Sequence, residues 1–540
     1  MLTFGPLLMI AYAAIPNRIA NRNVQIVSTL TFFTLLFVCV AVLANSALLM
    51  ANENGLQLSW LSFVAGGNFL SVYFDALSAT VALLISFVGL VIVRYSNRYL
   101  DGDANQGKFF KWISFTLGAV LLMVLTGNLL VFGLMWMLTS LGLHQLLTFY
   151  GDRKKGVDAA WKKFAISRFG DAMVLIAIAI VYVDLGSENY QTIFALATTA
   201  DPDSSTGGSV IGSIVAVLLV IAAISKSAQF PLHAWLPETM ESPTPVSALM
   251  HAGIINGGGF LVIRFSPLIV QAPMAMHLLA VVGGFTAVFA AVVAMAQGSV
   301  KRSLAYSTIS QMGFMMLQCG LGAFSAALLH IVAHSLYKSY AFLNAGSVVQ
   351  NLPGFQLTPA TQSMPFSIAR TIGWYVSGLL IATGIVGSSL WIFGLFGKVT
   401  GGSFLLVVIL VLALSQLLVN AFAHGKVQIA VRGLLSAVLV SNAYCLAFLC
   451  FQLLLSTTDV RTVGSISQFS YVLMVLFSVA FGVLLVVSNL LLAGTAPQWM
   501  KGIYVHAANG FYIDVVYDIV AQKVRTIAGK VKRRTQTPRV

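Results

Sequence analysis

The sequence predicts an all-α polytopic membrane protein with about fifteen transmembrane helices. Three observations carry this: 58% of the 540 residues are hydrophobic and only 9% charged, mean hydropathy is +0.91, and the apolar runs recur along the whole chain. A soluble domain carries roughly 25% charged residues. So little charge cannot cover a soluble surface of this size, which excludes a water-soluble enzyme and a disordered or fibrous chain. The net charge of +14 comes from 30 Lys+Arg against 16 Asp+Glu. On a soluble protein it would raise nucleic acid as a partner; here it reads as cationic loops that hold a membrane protein in one orientation. Cys39, Cys319, Cys445 and Cys450 sit in apolar runs without a CxxC pair or zinc spacing, as small core residues.

A spanning helix needs about 20 apolar residues. The expected spans are 2–16, 25–50, 71–93, 110–127, 129–149, 164–184, 208–228, 244–265, 275–297, 302–320, 322–349, 369–397, 403–422, 433–455 and 468–494. The nearly continuous run 112–149 divides at Gly127-Asn128. Leu2–Ile15 has no basic segment before it and reads as a retained helix rather than a cleaved signal. Only about 500–540 is polar enough to lie outside the bilayer.

The loops set the orientation. Arg18 and Arg22, Arg94, Arg98, Lys108 and Lys111, Arg153 to Lys155 with Lys162 and Lys163, Lys301 and Arg302, and Lys426 and Arg432 fall on one side in an up-down count. The alternate loops are poor in Lys and Arg, and one is acidic, with Asp184, Glu188, Asp201 and Asp203. The tail carries Lys523, Arg525, Lys530, Lys532, Arg533 and Arg534 on the basic side. The rule that positive loops face the cytoplasm then puts the N-terminus outside and the tail inside. There the tail could touch anionic lipid or dock a soluble partner.

Within such a chain the ionisable residues at depth are the informative ones, because each costs about 2.5–3.5 kcal/mol to insert. Lys226 follows a long apolar run and precedes Pro231, which removes a backbone donor and breaks the helix. A broken helix frees carbonyls near the lysine. Lys226 reads either as a titrating group in a proton or cation path or as a side chain that snorkels to the interface. His251 could pass protons near neutral pH, or could be a satisfied core histidine. His330, His334 and Lys338 are spaced i, i+4, i+8 and share one helical face. They read as a proton ladder. A metal pair is the competing idea, but no acidic residue lies between them and no third ligand is near in sequence. Arg168 and Asp171 lie three apart on one face, as an ion pair or a path element. Asp75 opens a span and reads as a helix-terminal acid. Glu238 and Glu241 flank the broken segment, either gating its mouth or lying in a solvated loop.

The stretch from Ser225-Lys-Ser-Ala-Gln-Phe-Pro-Leu-His-Ala-Trp-Leu-Pro-Glu through Met250-His251 is highly specific. With Lys301-Arg-Ser-Leu-Ala-Tyr-Ser-Thr-Ile-Ser-Gln-Met-Gly313, His330…His334…Lys338 and Gly510-Phe-Tyr-Ile-Asp-Val-Val-Tyr517, it resembles the proton-pumping membrane subunits of respiratory complex I, NuoL/NdhF-like, and the Mrp-type cation/proton antiporters. The resemblance is strong over about residues 70–350. It implies two inverted five-helix repeats with broken helices: N-terminal helices at 1–70, a first repeat at 71–265 broken near 226–243, a second at 266–422, C-terminal helices at 423–500 and a basic tail at 501–540. It also implies a glutamate paired with the broken-helix lysine, then a histidine and lysine relay to a second broken helix.

Three features depart from that pattern. Met137 follows Trp136 where the family has Glu. Ser388-Ser389 stand where a Lys-Asp pair is usual. The chain also reads as lacking the long lateral helix and last anchor. In this it resembles the DabB family, membrane subunits of the DabA–DabB inorganic carbon accumulating complexes of bacterial inner membranes. That resemblance implies a cytoplasmic peripheral partner like a zinc β-carbonic anhydrase, driven to hydrate CO2 to bicarbonate by cation flow. The expected path runs through Lys226, His251, His330, His334 and Lys338, with His144, seven residues past Met137, as a substitute for the glutamate. Asp75, Arg168, Asp171 and Glu238 are auxiliary. No cofactor is expected in this chain; zinc belongs to the partner. The chain itself shows no nucleophile triad, phosphate loop or metal cage. The rival readings are an ordinary complex I or Mrp-type subunit and a membrane scaffold whose polar residues are relics.

Overall fold

The computed structural model describes residues 2–51, 56–58, 71–199, 208–346, 368–396, 402–423, 426–461, 467–492 and 498–519. Among these, eleven helices are long and apolar enough to cross a membrane, and two shorter apolar ones span Phe4–Ala14 and Val210–Lys226. Val300–Gly320 and Phe324–Asn344 are full-length helices that carry more polar residues. Each expected span therefore holds helix within its described residues, with Val72–Phe74, inside 71–93, a strand instead. The paired strands among the described residues are a short antiparallel ribbon, Leu56–Leu58 with Val72–Phe74. Lys523 to Arg534, Asp201 and Asp203 lie outside the described residues.

Local chemistry sets the helix ends. The Asn128 side chain accepts hydrogen bonds from the N–H groups of Leu130 and Val131, starting a new helix where the apolar run 112–149 would otherwise continue. Gly186 takes a left-handed backbone, φ +62, and closes Lys154–Leu185. The main core draws almost entirely on residues before 343, with Leu455 added from the C-terminal helices. Thr244–Arg264 and Gln106–Leu125 lie deepest in it, with 94% and 89% of their apolar windows buried, against 17% for Val427–Ser456 at the periphery. Pro273–Met295 and Val300–Gly320 approach so closely that a Cβ on Gly313 would come within 2.7 Å of the Gly283 carbonyl oxygen. Small residues give membrane helices the van der Waals contact that no hydrophobic drive supplies within lipid.

Two helices break beside each other. Gly208–Lys226 stops at Lys226, and Ala228 turns the chain with φ +50. The next expected span, 244–265, divides into Thr244–Ala252 and Gly257–Arg264 around Gly253. The freed carbonyls find side chains: Asn256 Nδ2 donates to Ala252 at 2.9 Å and Ser227 Oγ to Ile255 at 2.7 Å. By contrast, Ile368–Ile392 runs unbroken through Gly384–Ser389, where the resemblance implied the second break. No proline interrupts it, and Ser388 and Ser389 donate back to the Ile385 carbonyl, leaving the helix intact.

Arg264, at the end of the second broken helix, reaches across to Asp75. Its Nη1 and Nη2 donate to both carboxylate oxygens at 2.7 and 2.8 Å, and Nη2 also to Ser78 Oγ. Asp75 caps Ala76–Tyr99 by accepting from the Ser78 N–H at 2.8 Å. The guanidinium lies over the Tyr73 ring, and the Tyr73 hydroxyl donates to Asp459. Asp75 is thus the helix-terminal acid expected, held as well in a two-pronged ion pair.

The segment after the last span folds back on the bundle. Gln498–Ala508 is helical, and Gln297 Nε2 donates to the carbonyls of Ala507 and Ala508. Gly510, Phe511 and Tyr512 all take positive φ, a tight left-handed turn that brings Phe511 against Phe289. Asp518 then meets Lys162 at 2.5 Å, Asp514 approaches Arg302 at 3.9 Å, and the Tyr517 hydroxyl donates to the Pro231 carbonyl at 2.9 Å. The segment so covers the basic-loop end of the broken helix.

Two outcomes follow. Arg264→Met leaves a buried carboxylate without its cation and should cost about 3–5 kcal/mol. Asp75→Asn in the same chain should restore part of that, as read by denaturant unfolding in detergent; equal stability of wild type and Arg264→Met would contradict it. Burial and the neighbouring Glu238 push the Asp514 carboxyl up to about 6. Docking therefore takes up a proton, is strongest below the ordinary aspartate range and loosens as pH rises through about 6. Hydrogen-exchange protection of residues 498–518, corrected for intrinsic rate, should fall across that range, and Asp514→Asn should flatten the response.

Candidate functional site: a line of buried ionisable groups

The broken helix delivers Lys226 into the interior rather than to its surface. Its Nζ donates to the Trp136 carbonyl oxygen and to Ser140 Oγ, both at 3.1 Å, and lies 4.4 Å from the Trp136 ring centroid. The Lys226 residue is 8% exposed. A second lysine that the sequence reading placed in the basic loop, Lys163, is also buried, and its Nζ donates to the Ser140 carbonyl oxygen at 3.0 Å. Arg168 pairs with Asp171 at 2.6 Å, and Asp171 lies within electrostatic reach of both lysines. The His144 Nδ1 is 3.3 Å from the Ala160 carbonyl oxygen, and its ring packs against Trp161 and Phe164.

From Lys226 the polar line continues inward. A cavity of about 20 Å³, large enough for one water, has mostly apolar walls, Val120, Ile254 and Phe260 among them, with Lys226, Thr139, Asn256 and Ser335 also lining it. Asn256 Nδ2 donates to Ser335 Oγ at 2.8 Å. Ser335 adjoins His334 on the Phe324–Asn344 helix. His251 is fully buried, its ring stacked on Phe342 at 4.3 Å. Both ring nitrogens of His251 and of His334 lack a hydrogen-bonding partner among the described residues. The His330 and His334 rings lie 6.0 Å apart. Lys338 is 0% exposed and donates to the Leu304 carbonyl at 3.2 Å and to Ser307 Oγ at 3.0 Å. His330 and His334 open on a cavity of about 450 Å³ that Gln311, Gln318 and Tyr444 also line. Among the described residues no three His, Cys, Asp or Glu side chains gather as a metal cage.

Glu238 stands at the basic-loop end. Lys162 Nζ donates to both of its oxygens, at 2.7 and 2.8 Å. Glu241 lies 3.8 Å from Arg153. The structure thus gathers Lys226, Arg168 and Asp171 at one site and His251, His330, His334 and Lys338 at another, with Asn256 and Ser335 between them. Asp75 belongs to the Arg264 pair instead. Sequence reading missed Lys163, Ser140, Asn256, Ser335 and Arg264. Lys163 had a signal: it falls on the i, i+3, i+4 stripe of Gly156, Ala159, Ala160, Ile166 and Gly170, which is the buried face of its helix.

Two family models match the chain. Residues 126–368 match "NADH:quinone oxidoreductase/Mrp antiporter, TM", and residues 60–110 match "NADH-Ubiquinone oxidoreductase (complex I), chain 5 N-terminus". The chain is 38% identical to the Probable inorganic carbon transporter subunit DabB of Hydrogenovibrio crunogenus over 408 residues, covering 74% of this chain and 72% of that one. It is 36% identical to the Probable inorganic carbon transporter subunit DabB2 of Halothiobacillus neapolitanus over 483 residues, 88% of this chain and 84% of that one. Among solved structures, the Mrp complex from Dietzia sp. DQ12-45-1b shares the fold, with TM-score 0.65 and 23% identity over 100% of this chain and 60% of that one. The resemblance to the DabB family agrees with these relatives, and the chain belongs to the DabB family of membrane subunits, built on the complex I and Mrp antiporter fold.

Proposed function

We propose that the chain conducts cations, namely protons, across the bacterial inner membrane and uses that flow to drive inorganic carbon accumulation by a partner subunit. The observation that carries this reading is the buried polar line itself. Lys226, Lys338, His251 and His334 are buried within the helix bundle and His330 lies beside them; Lys226 bonds Ser140, and Asn256 bonds Ser335 at the small cavity that Lys226 also lines. Each buried charge is costly, and so many on one line have a use in carrying charge. The order along the line is Lys226, the small cavity, Asn256 and Ser335, then His334 with His251 and His330, then Lys338. Histidine can accept and release a proton on either ring nitrogen, and lysine can carry one between hydrogen-bonding oxygens.

The partner in this reading is a DabA-like peripheral protein resembling a zinc β-carbonic anhydrase, on the cytoplasmic face where the basic loops and tail lie. The N-terminus is then periplasmic. Zinc and the bond chemistry belong to the partner; this chain supplies energy, about 2.3 kcal/mol per charge per 100 mV of membrane potential. The similarity of the relatives named as inorganic carbon transporter subunits supports carbon over quinone-linked pumping, as does Met137 in place of the glutamate.

Lys226→Ala and Lys338→Ala should each abolish carbon accumulation in cells while the complex still assembles. Wild-type accumulation in both would overturn the reading. Co-purification separates the alternatives: one zinc-containing protein is expected, and a many-subunit quinone-reducing assembly would contradict it.

A further inference from the structure

Lys226 faces Met137's helix without the glutamate that the resembled subunits carry there, yet it is not alone. The Lys163 amine from Lys154–Leu185 and the Lys226 amine from Gly208–Lys226 converge on one residue, Ser140: the first donates to its carbonyl oxygen, the second to its hydroxyl. Ser140 is 0% exposed and Lys163 3%. We infer that Lys163 and Lys226 form an amine pair bridged by Ser140, and that the conducted proton passes between them in place of the missing carboxylate–lysine exchange. This rests on the proton-conducting reading above.

Charge counting supports the pair. Lys163, Lys226 and Arg168 face one carboxylate, Asp171, in a buried site. With both amines protonated, two like charges hang on one serine at low dielectric. With one amine neutral that repulsion is gone, and the remaining proton sits either on Lys226, held by two oxygens, or on Lys163, held by one. The step balances simply. The ammonium of one lysine releases a proton and the lone pair of the other amine takes it; because Lys163 rests on the Ser140 carbonyl and Lys226 on its hydroxyl, the transfer requires the Lys163 amine to swing from that carbonyl to the hydroxyl or to Lys226 itself. No carbon bond changes and the total charge is constant.

The position of Lys163 gives the pair a direction. It lies about two and a half turns inside the basic-loop end of its helix. Its neighbour Lys162 points the other way, to Glu238 and Asp518 at the mouth. In the proposed order Lys163 is the step between that mouth and Lys226. The close approach of the two lysine-bearing helices depends on Gly170, where a Cβ would meet Ser225 Oγ at 2.9 Å.

The test is proton flux into liposomes holding the full chain with its co-purifying subunit, read by an internal pH dye under an imposed potential. Lys163→Arg keeps a charge and hydrogen-bond donors but does not release a proton; flux should fall at least tenfold with assembly retained. Lys163→His keeps an exchangeable proton at a lower ordinary pKa, about 6.5 against 10.4; flux should persist with its pH profile moved to the acid side. A structural role predicts the reverse, rescue by arginine. Wild-type flux in Lys163→Arg, or a Lys163→His profile that superimposes on wild type, overturns the amine pair. Lys226→Met serves as the control for the broader reading: if it conducts like wild type the whole route fails, and if it is inactive while the Lys163 variants behave as wild type, only the pair fails.

Discussion

The structure depends on one constraint: an ammonium group in the hydrocarbon layer must be given oxygens to hold it. Lys226 obtains a carbonyl and a hydroxyl, Lys338 likewise, and Lys163 a carbonyl. Those oxygens come from continuous helices that carry serine at the right turn, Leu129–Leu147 for Lys226 and Lys163 and Val300–Gly320 for Lys338. Broken helices in turn require partners for their freed backbone groups, and Asn256 and Ser227 provide them.

The same logic explains the asymmetry between the two halves. The first half breaks beside Lys226, and its core is dense. In the second half, the helix at the corresponding place carries serines that satisfy themselves on their own backbone and runs straight. Without an ionisable side chain to solvate, a break there would expose carbonyls for no return. The polar line instead ends at Lys338 and at the cavity beside His330 and His334. Folding of the C-terminal segment over the mouth ties the far end of the chain to the conducting half, through Asp518, Asp514 and Tyr517.

Much of this was legible in the sequence. Apolar length alone located the helices, and Pro231 with Lys226 located the first break. The i, i+4, i+8 spacing placed His330, His334 and Lys338 on one face. What was not legible depended on contacts between distant segments. Arg264 meets Asp75 across 189 positions, and nothing local to either reveals the pairing, although a lone arginine ending an apolar run was a visible anomaly. The break at Gly253 was hidden because glycine is common in membrane helices and only the tertiary partner of Asn256 stabilises it. Lys163 was assigned to the loop because loop counting scores lysines by neighbourhood, whereas its fate is set by helical phase.

The central claim is that the amines at 226 and 338 belong to one wetted path inside the membrane. It is tested most directly by a high-resolution structure of the assembled complex in a lipid nanodisc, with ordered water visible. The account expects water in the small cavity bonded to Lys226, Asn256 and Ser335, and hydrogen-bonded continuity from there through His334 to Lys338. Amines lying at headgroup level, or a dry apolar gap between Lys226 and His334, would contradict it.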